Sequence, residues 1–191
     1  MSETNRYLDM TVFNRSNDLI WGMLGANVVH FSFLQEYMAC CLGLDVGQYH
    51  QISNNLHIYT ENNSGYKPDV WLAAHDTNEQ YETAKVFNPI PLVQDKAVFD
   101  REVKLFVELN KNGSGLKGCE LYKEPFLNNV AQPMMHAFHM HKQKDYDAAF
   151  HWVTRITQGD WKYAAATWLT KRKRIWENKN NPGQVTQGTD L

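Results

Sequence analysis

Residues 7–59 read YLDMTVFNRSNDLIWGMLGANVVHFSFLQEYMACCLGLDVGQYHQISNNLHIY, and this stretch decides the fold. Its opening alternates. Leu8, Met10 and Val12 fall on one side and Asp9, Thr11 and Phe13 on the other, which predicts a strand over 7–14. Arg15-Ser16-Asn17-Asp18 then makes a polar corner, and residues 19–26, interrupted by Gly22 and Gly25, read as a loop. From Asn27 to Leu42 apolar side chains cover nearly every helical face, the pattern of a buried helix. Gly43 is a suitable C-terminal stop, because glycine accepts the left-handed conformation. A turn at Asp45-Val46-Gly47 leads to a second alternating run over 49–59. Ile52, Leu56 and Ile58 share one face there. Gln51, Ser53, Asn55, His57 and Tyr59 share the other, as in a strand lining a polar pocket.

Outward from this stretch the chain becomes helical. After a polar loop at 60–69, short helices are expected at 70–74 and 79–86, a rigid connector at 88–91, a helix over 99–109 and a glycine-rich loop at 111–118. Pro133 suits a first helical turn, and Asp145 and Asp160 each stand where a cap would start a helix. Ala148, Ala149, Trp152, Val153 and Ile156 form one apolar stripe, and Trp161, Ala164, Ala165, Trp168 and Leu169 form another. They predict three short helices packed as a bundle. The expected class is α+β: a mixed sheet crossed by a buried central helix, with a C-terminal helical extension. The expected division is a core over 1–60, an α-rich continuation over 61–130, the helical extension over 131–178 and a loose tail over 179–191.

Bulk properties narrow the functions. Hydrophobic residues make up 43% of the 191 and aromatic residues 13%, which is a globular composition. The formal net charge of -2 provides no field to draw the chain to nucleic acid or anionic membranes. Lys171-Arg172-Lys173-Arg174 reads more simply as a solvated helix end than as a nucleic-acid contact. The three cysteines, Cys40, Cys41 and Cys119, form neither a disulfide framework nor a zinc spacing. Cys40 and Cys41 read as core residues in mid-helix, the wrong surroundings for an activated thiolate. His136, His139 and His141 have no carboxylate or cysteine at ligand spacing, so no metal is expected. The start of the chain is no signal peptide, and no run approaches the roughly 20 apolar residues of a membrane span. A cytoplasmic location is the default.

The chemistry-bearing residues each have two readings. Arg15 and Ser16 offer donors that fit a phosphate, and Asp18 could hold an amidine-like edge, or the group could be a surface ion pair or a cap. Asn27 is either an N-cap or a reader of a base edge, with donor and acceptor matching the N3–H and O4 of uracil. A flipped amide would serve cytosine, so discrimination needs neighbours that set the flip. His57 and Tyr59 could grip one hydroxyl, or merely sit on a half-exposed strand.

In that order, RSND, then GAN opening an apolar helix, then NNLHIY resembles the thymidylate synthase and deoxycytidylate hydroxymethylase family. The family pattern is Arg-Ser-x-Asp, a Gly-containing loop to an Asn, and Gly-Asp-x-His-x-Tyr. The likeness covers residues 5–60. Asn27 to His57 keeps the family spacing, the loop before Asn27 is one residue longer, and Asn54-Asn55 replaces Gly-Asp. The resemblance implies that Arg15 and Ser16 hold a nucleotide 5′-phosphate, that Asn27 reads the pyrimidine, and that His57 and Tyr59 hold the ribose 3′-OH. It implies that Asp18, Trp21 and Gly22 meet the folate.

The implied reaction transfers a methyl or hydroxymethyl group from 5,10-methylenetetrahydrofolate to C5 of a deoxypyrimidine monophosphate, dUMP for the Asn branch. It begins with attack by a cysteine thiolate. The Pro-Cys segment of that nucleophile is not recognisable in this chain. The expectation is therefore a C-terminal part of a divergent, phage-type member, inactive without an N-terminal fragment, and a homodimer by family habit. The alternative is a non-catalytic nucleotide-binding or regulatory module. Either reading places Arg15, Asn27 and the His57–Tyr59 pair around one nucleotide-sized hollow.

Overall fold

A computed structural model describes residues 6–59, 90–111 and 122–180. The expected helices at 70–74 and 79–86, the loop at 60–69, most of the glycine-rich loop, Cys119 and the tail beyond Asn180 lie outside the described residues. The chain divides into two compact units, residues 1–80 with 91–96, and residues 81–90 with 97–191.

In the first unit, strands β1 (Tyr7–Asp18) and β2 (Asp45–His57) pair in parallel, and α1 (Asn27–Leu42) connects them. A parallel pair needs a long crossover, which residues 19–44 supply. The expected mixed sheet is a two-stranded parallel one among the described residues. β1 runs four residues further than the alternation suggested, so the Arg-Ser-Asn-Asp corner is the end of the strand. Residues Leu19–Ala26 are a wide π-type helical segment rather than a loop. Asp18 starts it by accepting the backbone N–H groups of Ile20 and Trp21, and Gly25, at φ -115 and ψ -115, breaks it before α1. Gly43 ends α1 in the left-handed conformation, at φ 64.

The ladder slips once, between Leu8 and Met10. Asp9 accepts the backbone N–H of Gln48 there at 2.7 Å, and a Cβ on Gly47 would collide with the Asp9 carboxylate. Buried Gln35 of α1 donates to the carbonyls of Leu8, Gly47 and Gln48 at 2.8, 3.3 and 3.1 Å. One side-chain amide thus gathers three carbonyls around the slipped rung.

Two expectations change here. Helix α1 is not buried all round: Gln35 and Ala39 are buried, while Val29, Leu34, Met38 and Leu42 are exposed. A helix on one face of two strands has one covered side. Cys41 lies on the exposed side rather than in a core, and Cys40 is intermediate. The outward face of the strands is greasy and uncovered, with Phe13 75%, Ile52 49% and Leu56 48% exposed beside Tyr7 and Val46. Residues 91–96 return to α1, where Leu92 donates its backbone N–H to Glu36 and Lys96 lies 6.0 Å from the Tyr37 ring.

The second unit holds α2 (Lys96–Asn110), whose first residue belongs to unit one, then α3 (Gln132–Lys142), α4 (Tyr146–Thr154) and α5 (Gly159–Asn180). Pro133 lies in the first turn of α3, and Asp145 caps α4 by accepting from Ala148 at 3.0 Å, both as expected. Asp160 sits inside the first turn of α5 instead of before it. Val130, Ala149, Val153, Ile156 and Leu169 form the buried core. The Lys171–Arg174 run lies inside α5, which continues to Asn180. Arg172 covers the Trp168 ring at 5.3 Å, and Lys173 approaches Asp147 at 3.8 Å. Among the described residues no helix is long and apolar enough to cross a membrane, and no group of three potential metal ligands occurs.

Buried His136 stacks on Trp152 at 4.1 Å and shares a 2.8 Å hydrogen bond with Gln132. Burial, then His139 and Arg155, hold the His136 imidazole below its ordinary value of 6.5. Burial, then Lys144, Arg172 and Lys142, do the same at His141. A histidine kept neutral when folded lends its full stability above 6.5, the unfolded value, and loses it as the unfolded chain takes up protons below that. Tryptophan-monitored melting should therefore occur at lower temperature at about pH 5.5 than at about pH 7.5. His136→Phe, which keeps the stack but does not titrate, should narrow that difference. Identical melting at both pH values would contradict this account.

Candidate functional site

At the C-terminal ends of β1 and β2 the strict alternation of β1 slips. Arg15 and Ser16 are both exposed, and Asn17 is buried to 2% exposure. The Asn17 amide meets the inner face, where β2 presents Tyr49, Gln51 and Ser53. Asn17 Nδ2 donates to Gln51 Oε1 at 2.7 Å and to Ser53 Oγ at 3.1 Å. Asn17 Oδ1 accepts from Asn27 Nδ2 at 2.9 Å. Gln51 Nε2 donates in turn to the Tyr49 hydroxyl at 2.8 Å and reaches the Met23 carbonyl at 3.5 Å. A chain of primary amides therefore ties the end of β1, the middle of β2, the π-type segment and the first residue of α1.

Asn27 is consequently not an N-cap. No side chain caps α1, and the Asn27 amide is spent on Asn17 instead. Gly22 explains how the groups come so close. A Cβ there would strike Asn17 Oδ1 and stand 3.2 Å from Asn27 Nδ2.

Asp18 and His57 are register partners at the last rung of the ladder. Asp18 is occupied on Oδ1 by two backbone N–H groups, as the start of the π-type segment. His57 turns its ring edge-on to Tyr59 at 5.1 Å, and its buried Nδ1 has no hydrogen-bond partner among the described residues. Trp21 presents its indole to the outside, 64% exposed.

Arg15 stands apart from these groups. It lines an open hollow of about 500 Å³ with Phe13, Asn14, Ile52, Ser53 and Asn54, and neither Asn27 nor His57 is among those walls. The expected convergence is thus divided in this structure. Asn27 joins the amide chain, His57 and Tyr59 lie beside Asp18 at the strand ends, and Arg15 opens toward the outward face. The ladder register is unbroken here, yet the buried position goes to Asn17, and Arg15 and Ser16 are both exposed. The motif pattern assigns Asn17 no role. The only signal in the sequence was that Gln51 and Ser53 repeat on one polar face of β2, which demands a polar partner opposite.

Comparison with known proteins adds the kinship. Over 180 residues, 89% of the chain, it is 38% identical to the deoxyuridylate hydroxymethyltransferase of Pseudomonas phage M6, covering 49% of that protein. It is 53% identical over 57 residues, 30% of the chain, to the protein of the same name from Bacillus phage SP01, covering 15% of it. No protein-family profile matches the chain, and no solved structure does. The chain spans about half the length of the M6 relative. The likeness to these phage proteins supports the resemblance that the ordered motifs bear to the thymidylate synthase and deoxycytidylate hydroxymethylase family.

Gly22→Ala is expected to destabilise the first unit by about 1–3 kcal/mol, because the added methyl must displace a buried, fully engaged amide. Chemical denaturation followed by circular dichroism reads it. A variant as stable as the parent would show that the Asn17–Asn27 approach is looser than described.

Proposed function

We propose that the protein containing this chain transfers a hydroxymethyl group to C5 of dUMP in the cytoplasm of an infected host, and that these residues supply the nucleotide-binding part of its site. The 38% identity to the phage M6 protein over most of the chain carries this reading. In it, Asn27 faces the uracil edge with the amide atoms that Asn17 leaves available. His57 and Tyr59 hold the ribose 3′-OH, and Arg15 with Ser16 holds the 5′-phosphate. The exposed Arg15 guanidinium, which has no carboxylate partner among the described residues, supports the phosphate role. Either the hollow around it takes the phosphate as it stands, or the arginine swings across the strand edge toward His57.

The residues suit a folate at the same end of the sheet. The uncovered Trp21 ring gives a flat apolar surface for a pterin, beside the Asp18 carboxylate and the side-chain-free Gly22. 5,10-Methylenetetrahydrofolate would supply the one-carbon unit there. The attacking thiolate has no candidate among the described cysteines. Cys40 and Cys41 lie near the C-terminal end of α1, while Asn27 opens that helix. The nucleophile is assigned to a further segment, in the same polypeptide or a separate one.

The same reading includes a homodimer closed over the outward sheet face. Tyr7, Phe13, Val46, Ile52 and Leu56 form an apolar surface of the kind that protein partners cover.

Titration with dUMP followed by two-dimensional NMR tests the assignment. The chain should bind dUMP more tightly than deoxyuridine. Arg15→Ala should erase that preference by weakening dUMP about tenfold or more, the worth of a charge-assisted contact. With dUMP and methylenetetrahydrofolate together, the chain alone should bind without forming 5-hydroxymethyldeoxyuridylate, and steady product from it would overturn the division of labour. Sedimentation velocity should show a dimer that Phe13→Asp with Leu56→Asp dissociates.

A further inference from the structure

Resting on the assignment of Asn27 to the pyrimidine edge, we infer that Asn17 decides which pyrimidine is accepted, by holding the Asn27 amide in one of its two orientations. A primary amide has one acceptor oxygen and one nitrogen with two N–H donors, and its shape barely distinguishes them. Uracil presents an N3–H donor beside the O4 acceptor. Cytosine presents the reverse, an N3 acceptor beside an N4 donor. An Asn27 free to rotate by half a turn would satisfy either base. An Asn27 that cannot rotate satisfies one.

The amide chain supplies the restraint. Asn27 Nδ2 gives one N–H to Asn17 Oδ1 at 2.9 Å. Half a turn of Asn27 would set two carbonyl oxygens face to face. Asn17 cannot turn to accommodate it, because its own Nδ2 donates to Gln51 Oε1 at 2.7 Å and to Ser53 Oγ at 3.1 Å. A turned Asn17 would again oppose oxygen to oxygen at Gln51. Gln51 ends the chain on the Tyr49 hydroxyl at 2.8 Å and the Met23 carbonyl at 3.5 Å. The hydroxyl serves either polarity, but the main-chain carbonyl can only accept. The Met23 carbonyl, the longest of these contacts, favours the same direction along the chain, and the shorter bonds among Asn27, Asn17 and Gln51 hold it. Asn17 is 2% exposed, so no water competes for its bonds. Asn27 retains Oδ1 and its second N–H for a ligand, the acceptor and donor that uracil requires.

A merely structural cross-link would make the same bonds, so the discriminating measurement is a ratio. Dissociation constants for dUMP and dCMP are read by NMR titration of the full chain. The parent should favour dUMP by about tenfold or more, as expected when the wrong base leaves buried groups unpaired. Asn17→Ala should bring the two within about threefold of each other, whatever happens to absolute affinity.

If the parent binds neither nucleotide, the assignment of Asn27 fails and this inference with it. If the parent discriminates and Asn17→Ala discriminates equally, the assignment stands and the role of Asn17 is refuted. Hydrogen exchange in the unmutated chain gives a reading independent of variant folding. One Asn27 Nδ2 proton should exchange more slowly than its twin, and equal rates would also refute the role.

Discussion

Two parallel strands covered by one helix leave main-chain and side-chain polar groups at both ends of the ladder with no third strand described to pair them. Each end is closed by a buried primary amide. At the entry end, Gln35 reaches from α1 to three carbonyls around the slip between Leu8 and Met10. At the exit end, Asn17 draws Asn27, Gln51 and Ser53 together. An amide suits both places because it donates and accepts from one rigid plane, so a single side chain can serve several partners. Leaving such groups unpaired would cost about 1–3 kcal/mol each, a large share of the stability of a small domain.

The exit end also carries the candidate site residues, and the same constraint shapes their placement. Asn17 is buried while Arg15 and Ser16 are exposed, so one short motif meets two environments. One is dry and amide-rich, with Asn17, Asn27 and Gln51 bonded to one another. The other is open and cationic, suited to a charged group that needs attraction more than precise fit. Asp18 joins them by beginning the π-type segment that carries Trp21 and Gly22 back across the strand ends.

The helical unit follows different physics. Its core is aliphatic at Val130, Ala149, Val153 and Ile156, and its edges are stacks of aromatic rings with cations and imidazoles. Trp152 lies between His136 at 4.1 Å and Arg155 at 5.2 Å, and Trp168 meets His141 and Arg172. Burial first, and then the cations beside these rings, favour the neutral imidazole at His136 and His141, so these two act as polar core residues.

Residue pattern alone determined the strand of alternating Leu8, Met10 and Val12, helix α1 to its terminal residues, the stop at Gly43 and the Asp145 cap of α4. Each depends on local periodicity or on one residue's conformational range. The ordered motifs also carried the family, because their spacing is a property of the chain. Only the tertiary structure decided that α1 is half exposed, that Asn27 bonds a side chain instead of capping its helix, and that Arg15 and Asn27 part company. The first follows from one helix lying on two strands, and the Asn27 bond turns on which way Asn17 points. That direction depends on Gln51 and Ser53, 34 and 36 residues away, whose amide and hydroxyl need a partner that no local pattern reveals.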